Sequence, residues 1–171
     1  MSKKQNSILD IDKLEYQAYD NYDNYVNSGV EWIGDIPKNW KVKKLKNNIK
    51  AINSGKDKEI EQGNYILYGA NGIKGKTNTN TYNKKKIVIG RVGSSGETNI
   101  YNGSFGVTDN ALVVNEDKGF NKKYLYYYFK HVFEFNLIKS QTSVPLITSN
   151  GIMNNFSILP PKKEQLTIVK F

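Results

Sequence analysis

Apolar and polar positions along this chain fall into short blocks of strand formers cut by glycine, plus one longer stretch with helical spacing. The clearest block is Ile87–Val114. A β-branched run (Ile87, Val88, Ile89) reaches Gly90–Arg91, a turn of Gly93, Ser94, Ser95 and Gly96 follows, then a second extended piece, and Ala111–Val114 closes the block as a third strand. Strand formers bounded by glycine turns predict antiparallel strands. Tyr65–Tyr68 reads as a strand entering a Gly/Asn loop, Gly69–Lys76. Lys41–Lys46 alternates basic and apolar positions (Val42, Leu45), which fits a short strand or the first turn of a helix. The best helix runs from Asn121, a suitable cap, to about Lys139, with Leu125, Tyr128, Phe129, Val132, Phe133 and Leu137 at helical spacing. Val144–Asn155 is turn-rich with a helical turn near Ser149–Met153. Phe156–Leu159 is a last strand, and Pro161 starts a new helix through Val169. The expected architecture is α+β: a curved, mostly antiparallel sheet with flanking helices and the start of a C-terminal helix.

Length allows one domain with a core plus a tail. The expected division is a tail or docking segment at 1–28, a folded domain at 29–160, and the beginning of a helix at 161–171. In the tail Tyr16, Tyr19, Tyr22 and Tyr25 recur every third residue, either as a docking stripe or as part of an irregular Asn/Asp/Tyr-rich leader. Trp32, Ile33, Ile36, Pro37 and Trp40 mark where packing begins.

Charge narrows the function. The net charge is +9. Residues 1–28 hold three lysines against five carboxylates, a local net of −2, so +11 sits on the remainder. Its lysines cluster at Lys41–Lys46, Lys74–Lys76, Lys84–Lys86 and Lys122–Lys123 among many of the twelve tyrosines. That balance favours a polyanionic partner, nucleic acid in particular. No apolar run approaches the ~20 residues of a membrane-spanning helix, and the N-terminus is polar. The absence of cysteine excludes disulfides and thiolate zinc sites and fits a reducing cytoplasm.

Three near-matches to catalytic motifs fail on physical grounds. Ala70–Thr77 (ANGIKGKT) mimics a phosphate-binding loop, but such a loop must lead into a helix, and Asn78–Asn83 is a poor helix former. Asp109 with Glu116, Asp117 and Lys118 mimics a nuclease constellation. The strand Ala111–Val114 stands between them, and seven extended residues span roughly 23 Å. Leu159-Pro160-Pro161-Lys162 lacks both the amide or acid and the aromatic that flank the two prolines in the loop of amino-methyltransferases. His131 is the sole histidine and falls within the helix, so no metal site is expected.

Taken together, four segments resemble the target-recognition domain of type I restriction-modification specificity subunits. They are Ser28-Gly29-Val30-Glu31-Trp32-Ile33-Gly34-Asp35-Ile36-Pro37 with Trp40; the strand and loop Tyr65–Gly75; the block Ile87–Asn110; and Leu159-Pro160-Pro161 with Glu164-Gln165 and Ile168-Val169. With the Tyr124–Phe129 helix they cover nearly everything after residue 28. The resemblance implies a non-catalytic subunit that reads one half of a split double-stranded DNA target in the cytoplasm. It also implies assembly with modification (methyltransferase) subunits, and with a restriction subunit in the full complex. S-adenosylmethionine, magnesium and ATP would reside on those partners and none on this chain. One recognition domain and little of the following helix suggest a half-subunit, truncation product or excised domain, with self-association through the C-terminal helix.

Within such a domain lysines neutralise phosphates while a few side chains read base edges. Arg91 is the best reader, because its fork donates twice to guanine; its alternative role is to brace the hairpin through a carboxylate such as Asp109. Ser94, Ser95 and Thr98 are candidates for phosphate or base contact. Lys74, Lys76 and Asn78 on the preceding loop, and Gln141, Thr142 and Ser143 after the helix, are flanking candidates. Lys84, Lys85 and Lys86 suit phosphate.

Overall fold

The computed structural model describes residues 22–170, and the chain divides into two compact units between Lys38 and Asn39. Tyr16 and Tyr19 of the tyrosine stripe lie outside the described residues.

The first unit is a hairpin. Strand β1 (Tyr25–Asn27) pairs antiparallel with β2 (Asp35–Pro37), so a boundary at residue 28 cuts through paired strands. Tyr25 sits in a strand and does not extend a helical stripe. The connecting turn is fixed by local polar chemistry: Asn27 Oδ1 accepts from the Gly29 N–H, and Ser28 Oγ accepts from the Val30 N–H. Gly29 and Gly34 occupy left-handed backbone there (φ 73° and 69°), which glycine adopts without strain.

The second unit holds the remaining elements. Strand β3 (Lys41–Lys44) pairs with β11 (Phe156–Leu159) and is followed by a 3-10 turn, Leu45–Asn47, so both readings of Lys41–Lys46 hold in succession. A four-stranded sheet runs in the order β4 (Ile49–Ser54), β10 (Ala111–Asp117), β7 (Lys86–Gly90), β8 (Thr98–Tyr101). A three-stranded sheet has the order β6 (Gly72–Thr77), β5 (Tyr65–Gly69), β9 (Phe105–Val107). Strands β5 and β9 pair in parallel; the other strand pairings of the described residues are antiparallel. The fold is thus α+β and mostly antiparallel, divided among small sheets rather than carried by one curved sheet.

Val88, Val107, Ala111, Val113 and Phe105 form a core cluster to which Tyr68, Tyr82 and Tyr101 are packed. It joins the two larger sheets. The other face of the four-stranded sheet, Ile87, Ile89, Leu112 and Val114, is buried as well. Burial on both faces explains why β7 reads as a continuous apolar run instead of alternating.

The long helix is shorter than its periodicity predicts. Asn121 caps α1 (Lys122–Tyr127) as expected, its Oδ1 accepting from the N–H groups of Lys123 and Tyr124. The chain then widens into a π turn, Tyr128–Val132, and leaves the helix at Phe133, whose N–H donates to Tyr128 O. Phe129, Phe133 and Phe135 pack on one another with centroids 4.7–6.1 Å apart, and Phe135 reaches Gly96. Straight helix would carry Phe135 away from that contact. Val132 and Leu137, expected on the buried stripe, are exposed. Helices α2 (Ser149–Asn154) and α3 (Lys162–Ile168) stand where the sequence places them. Gln165 ties α3 down: it accepts from the Asn121 N–H and donates to Gly119 O and Pro160 O. Glu164 accepts from Trp40 Nε1 and Asn39 Nδ2. Val169 is buried while Leu166 and Ile168 are exposed. No helix among the described residues is long and apolar enough to cross a membrane.

Candidate nucleic-acid interface

The β-branched run of β7 ends at Gly90 because nothing larger fits there. A Cβ on Gly90 would lie 2.0 Å from Ser94 O and 2.8 Å from Ala70 O. Gly90 is therefore a pinch point between its own loop, residues 91–97, and the two-residue turn Ala70–Asn71 that joins β5 to β6. Backbone hydrogen bonds close the loop, with Gly90 N–H donating to Glu97 O and Gly96 N–H to Gly90 O. Gly93 and Gly96 supply the left-handed backbone it needs (φ 77° and 93°).

Two further segments join this end of the sheet. The N–H groups of Arg91 and Val92 donate to Asn110 O, which docks the 108–110 turn. Ile147 N–H donates to Arg91 O, Val92 and Leu146 form a β-bridge, and Ser95 Oγ donates to Pro145 O at 2.8 Å or Arg91 O at 3.1 Å. Four loops, distant in sequence, thus converge: 69–72, 90–97, 108–110 and 140–147.

The predicted residues separate on this frame. Arg91 stands at the convergence, partly exposed, with Nη1 3.3 Å from the backbone oxygen of Asp109. The brace considered for it is made to a carbonyl, not to the carboxylate, and leaves most of its donors unused. Ser94 is exposed beside it. Ser95 is a loop fastener rather than a free hydroxyl. Thr98 is 1% exposed and donates to Gly96 O; burial in β8 removes it from any contact with a macromolecule, which corrects the expectation for that residue. Gln141, Thr142 and Ser143 are exposed on the 140–147 loop, although the Thr142 hydroxyl is engaged with Val144 O and Ser140. Lys74 and Lys76 are exposed on β6, the strand that follows the Ala70–Asn71 turn. Asn78 Oδ1 accepts from the Asn64 N–H and so closes the far end of the β5–β6 hairpin.

Lys84, Lys85 and Lys86 lie elsewhere. They precede and open β7, and four strand steps of about 3.3 Å put Lys86 roughly 13 Å from Gly90. Lys86 is held: Nζ donates to Asn115 Oδ1 at 2.8 Å and sits 5.9 Å over the Tyr82 ring. Lys84 and Lys85 are exposed, and Lys122 Nζ joins them by donating to Lys85 O. Among the predicted contacts, Lys84–Lys86 therefore stand at the opposite end of β7 from Arg91.

A buried carboxylate absent from the expected site residues anchors the middle. Asp57, 8% exposed, accepts from Thr79 Oγ1 (2.7 Å), Thr81 Oγ1 (2.6 Å) and the Val107 N–H (2.8 Å). It ties the segment after β6 to β9. The signal that points to it is the alternation Thr77-Asn78-Thr79-Asn80-Thr81, which repeats a hydroxyl at every second residue. Beneath the hairpin, Tyr68 and Tyr101 stack with centroids 3.5 Å apart. Burial first, then the neighbouring Tyr68 and Glu97, pushes the Tyr101 phenol up to about 12, so it remains a neutral packing group.

The arrangement offers no catalytic constellation among the described residues. Ala70–Thr77 is a turn and strand of a β-hairpin with no helix after it. Asp109 precedes β10 and Glu116 stands near that strand's other end. No cluster of three His, Asp or Glu residues able to hold a metal occurs among the described residues. What the site presents is shape, cations and hydrogen-bond donors.

Comparison with known proteins agrees. A family model described as the type I restriction modification DNA specificity domain matches residues 37–171. The type I restriction-modification S subunit from M. genitalium superposes with a TM-score of 0.68 at 18% identity, over 77% of this chain and 37% of that one. A chain from a structure addressing complex assembly and conformational transition of the type I R-M system gives 0.64 at 20% identity, over 94% and 43%. The HsdS subunit from Thermoanaerobacter tengcongensis gives 0.58 at 17%, over 94% and 44%. At these identities the likeness is one of fold, and the chain spans about two-fifths of the length of each. No curated protein matches the chain.

Proposed function

Because the chain belongs to the family of type I restriction modification DNA specificity domains, we propose that it recognises a short double-stranded DNA sequence for a restriction-modification complex. Matching less than half of its solved relatives, it reads one half of a bipartite target. The observation that carries this reading is the convergence of four loops around Arg91, with 90–97 hydrogen-bonded to 108–110 and 140–147 and abutting the 69–72 turn at Gly90, and with no catalytic group among them. Such a surface discriminates by fit. Arg91, whose fork matches guanine O6 and N7, is the principal reader, aided by Ser94 and by Gln141–Ser143. Lys74 and Lys76 on one side, and Lys84, Lys85 and Lys122 at the other end of β7, neutralise phosphate and set register.

Methyl transfer and its S-adenosylmethionine belong to modification subunits in this reading, and cleavage to a restriction subunit. The exposed Leu166 and Ile168 of α3 are the place for contact with such a subunit or with a second recognition domain. The setting is bacterial defence in the cytoplasm.

Selection of duplexes from a randomised pool by the purified chain tests this function. A short motif should be enriched, with affinity in the micromolar range and falling steeply as salt rises. Enrichment of no sequence, or binding unchanged between low and moderate salt, overturns it.

A further inference from the structure

Ile73 is 70% exposed, the most of any large apolar side chain among the described residues. An isolated surface isoleucine needs no explanation. Three features set this one apart.

The first is position. Ile73 lies two residues beyond the Ala70–Asn71 turn, and Ala70 O abuts Gly90 at the base of the Arg91 loop. The hairpin tip and the arginine loop are thus held as one surface. The second is rigidity. Gly72, with φ 101°, aims the strand, and Ile73 pairs across the hairpin with Tyr68, whose ring is stacked on Tyr101. A β-branched side chain adds a restricted χ1 of its own. Such a group has less side-chain entropy to lose on contact than a long unbranched one. The third is company. Lys74 and Lys76 follow on the same strand, both exposed, and Ile66, opposite Lys76, is exposed too. An apolar group among cations suits a ligand that is anionic around its margin and carries a small apolar knob within.

We propose that Ile73 is a specificity-determining residue that packs against the C5-methyl group of a pyrimidine in the major groove. This rests on the DNA-recognition reading above. The major-groove edge of an A·T pair carries one apolar feature, the thymine methyl, flanked by hydrogen-bonding groups; 5-methylcytosine presents the same methyl. Arg91 would then supply the polar half of recognition and Ile73 the apolar half, from two loops locked together at Gly90.

The experiment starts from the motif enriched by the full 171-residue chain. Each thymine is replaced in turn by uracil, which removes the methyl and leaves every hydrogen-bonding group; each cytosine is replaced by 5-methylcytosine. One thymine→uracil change should weaken binding about threefold to fivefold, the worth of one methyl taken from apolar contact. If the contacted base is a cytosine, methylation at one position should tighten binding by a similar factor. Ile73→Ala should abolish that one sensitivity and leave those at other positions intact. Ile73→Thr keeps the β-branch and serves as the second variant if the alanine form is poorly folded. A pool that enriches nothing overturns the recognition reading and this inference with it. A clear motif whose methyl sensitivities are all unchanged by both variants overturns this inference alone.

Discussion

The two ends of strand β7 use polar chemistry in different ways. At the Gly90 end, the backbone of Gly90, Arg91 and Gly96 and the hydroxyl of Ser95 are engaged with Glu97, Asn110 and the 145–147 segment. At the Lys86 end, Lys84 and Lys85 are exposed to solvent and Lys122 reaches in beside them. Hydrogen bonds between loops restrict where their backbone and side chains can stand. Solvated lysines on flexible stems supply charge with little geometric demand. Under the proposed DNA-reading role both are needed, and separating them would let the loops vary without disturbing the lysines that neutralise phosphate. Mutations at the two ends should then fall into different classes: loss of folding or of discrimination at one, loss of salt-dependent affinity at the other.

The largest effect is expected at the pinch point. Gly90→Ala drives a methyl into Ser94 O and Ala70 O; both are backbone atoms, and Ser94 O also accepts from the Glu97 N–H. Relief requires moving the 90–97 loop or the β5–β6 turn. We expect a loss of about 3 kcal/mol or more in urea unfolding, at the upper end of overpacking costs. A change within about 0.5 kcal/mol would mean the loops are soft, and the contrast between the two ends would collapse.

Next is Asp57→Asn. Both carboxylate oxygens accept, one from two threonine hydroxyls and the other from the Val107 N–H. An amide turns one oxygen into a donor, so at least one of these partners loses its acceptor inside the fold. Hydrogen bonds to a charged, buried group warrant a cost of about 2–3 kcal/mol. The same unfolding measurement decides it. Asp57→Asn within experimental error of wild type would show that the carboxylate is not what holds the segment after β6.

These two residues also mark how far the sequence could be read. Local patterns were sufficient where the determinant is local: β-branched Ile87–Ile89 ending at glycine, Asn121 as a cap, Pro161 opening α3. They failed where a distant partner decides. Strand β4 was in no expected element, since its buried positions Ile49 and Ile52 are three apart and mimic a helix. Strand β9, only Phe-Gly-Val, gains its identity from parallel pairing with β5 some forty residues earlier. The run of aromatics after Tyr128 has helical spacing, but contact between Phe135 and Gly96 ends the helix. Among site residues, Arg91 and the 140–147 loop are brought side by side by tertiary bonds that no local pattern records. The burial of Thr98 and the remoteness of Lys84–Lys86 follow from strand register, which no local pattern records. Asp57 is marked in the sequence only by the alternating hydroxyls of 77–81, because its three donors are separated from it by 22 to 50 residues.

Binding variants sharpen the comparison at smaller energies. Replacing Lys84 and Lys85 together by Gln should lower affinity on every duplex and reduce the salt slope by up to about 1.8, at roughly 0.9 per phosphate contact, with folding stability unchanged within about 0.5 kcal/mol. Arg91→Ala should do the reverse, removing about 1–3 kcal/mol of discrimination while most salt-dependent binding survives. Arg91→Lys, which keeps the charge and loses the planar fork, should resemble the alanine variant in specificity. If Arg91→Ala weakens all sequences equally, its bond to Asp109 O is its main role and reading passes to Ser94, Gln141–Ser143 and Ile73.

The smallest effect tests whether the polar groups at the Gly90 end are matched throughout. Thr108 leads into the 108–110 turn; its N–H donates to Tyr68 O, and its own carbonyl accepts from the Ala111 N–H. Its hydroxyl is buried without a hydrogen-bond partner, so it is desolvated with nothing in return. Thr108→Val keeps the β-branch, the volume and both backbone bonds, and replaces the hydroxyl by a methyl. Removing a buried unsatisfied hydroxyl in this way is neutral or stabilising, and we expect a gain between zero and about 1 kcal/mol in urea unfolding. Sequence selection by the variant should be unchanged, because Arg91, Ser94 and Ile73 stay where they are. A loss of more than about 1 kcal/mol would reveal a partner for the Thr108 hydroxyl in solution and make the Gly90 end still more completely hydrogen-bonded. A shift in the selected motif without a change in stability would instead add the 108–110 turn to the reading surface.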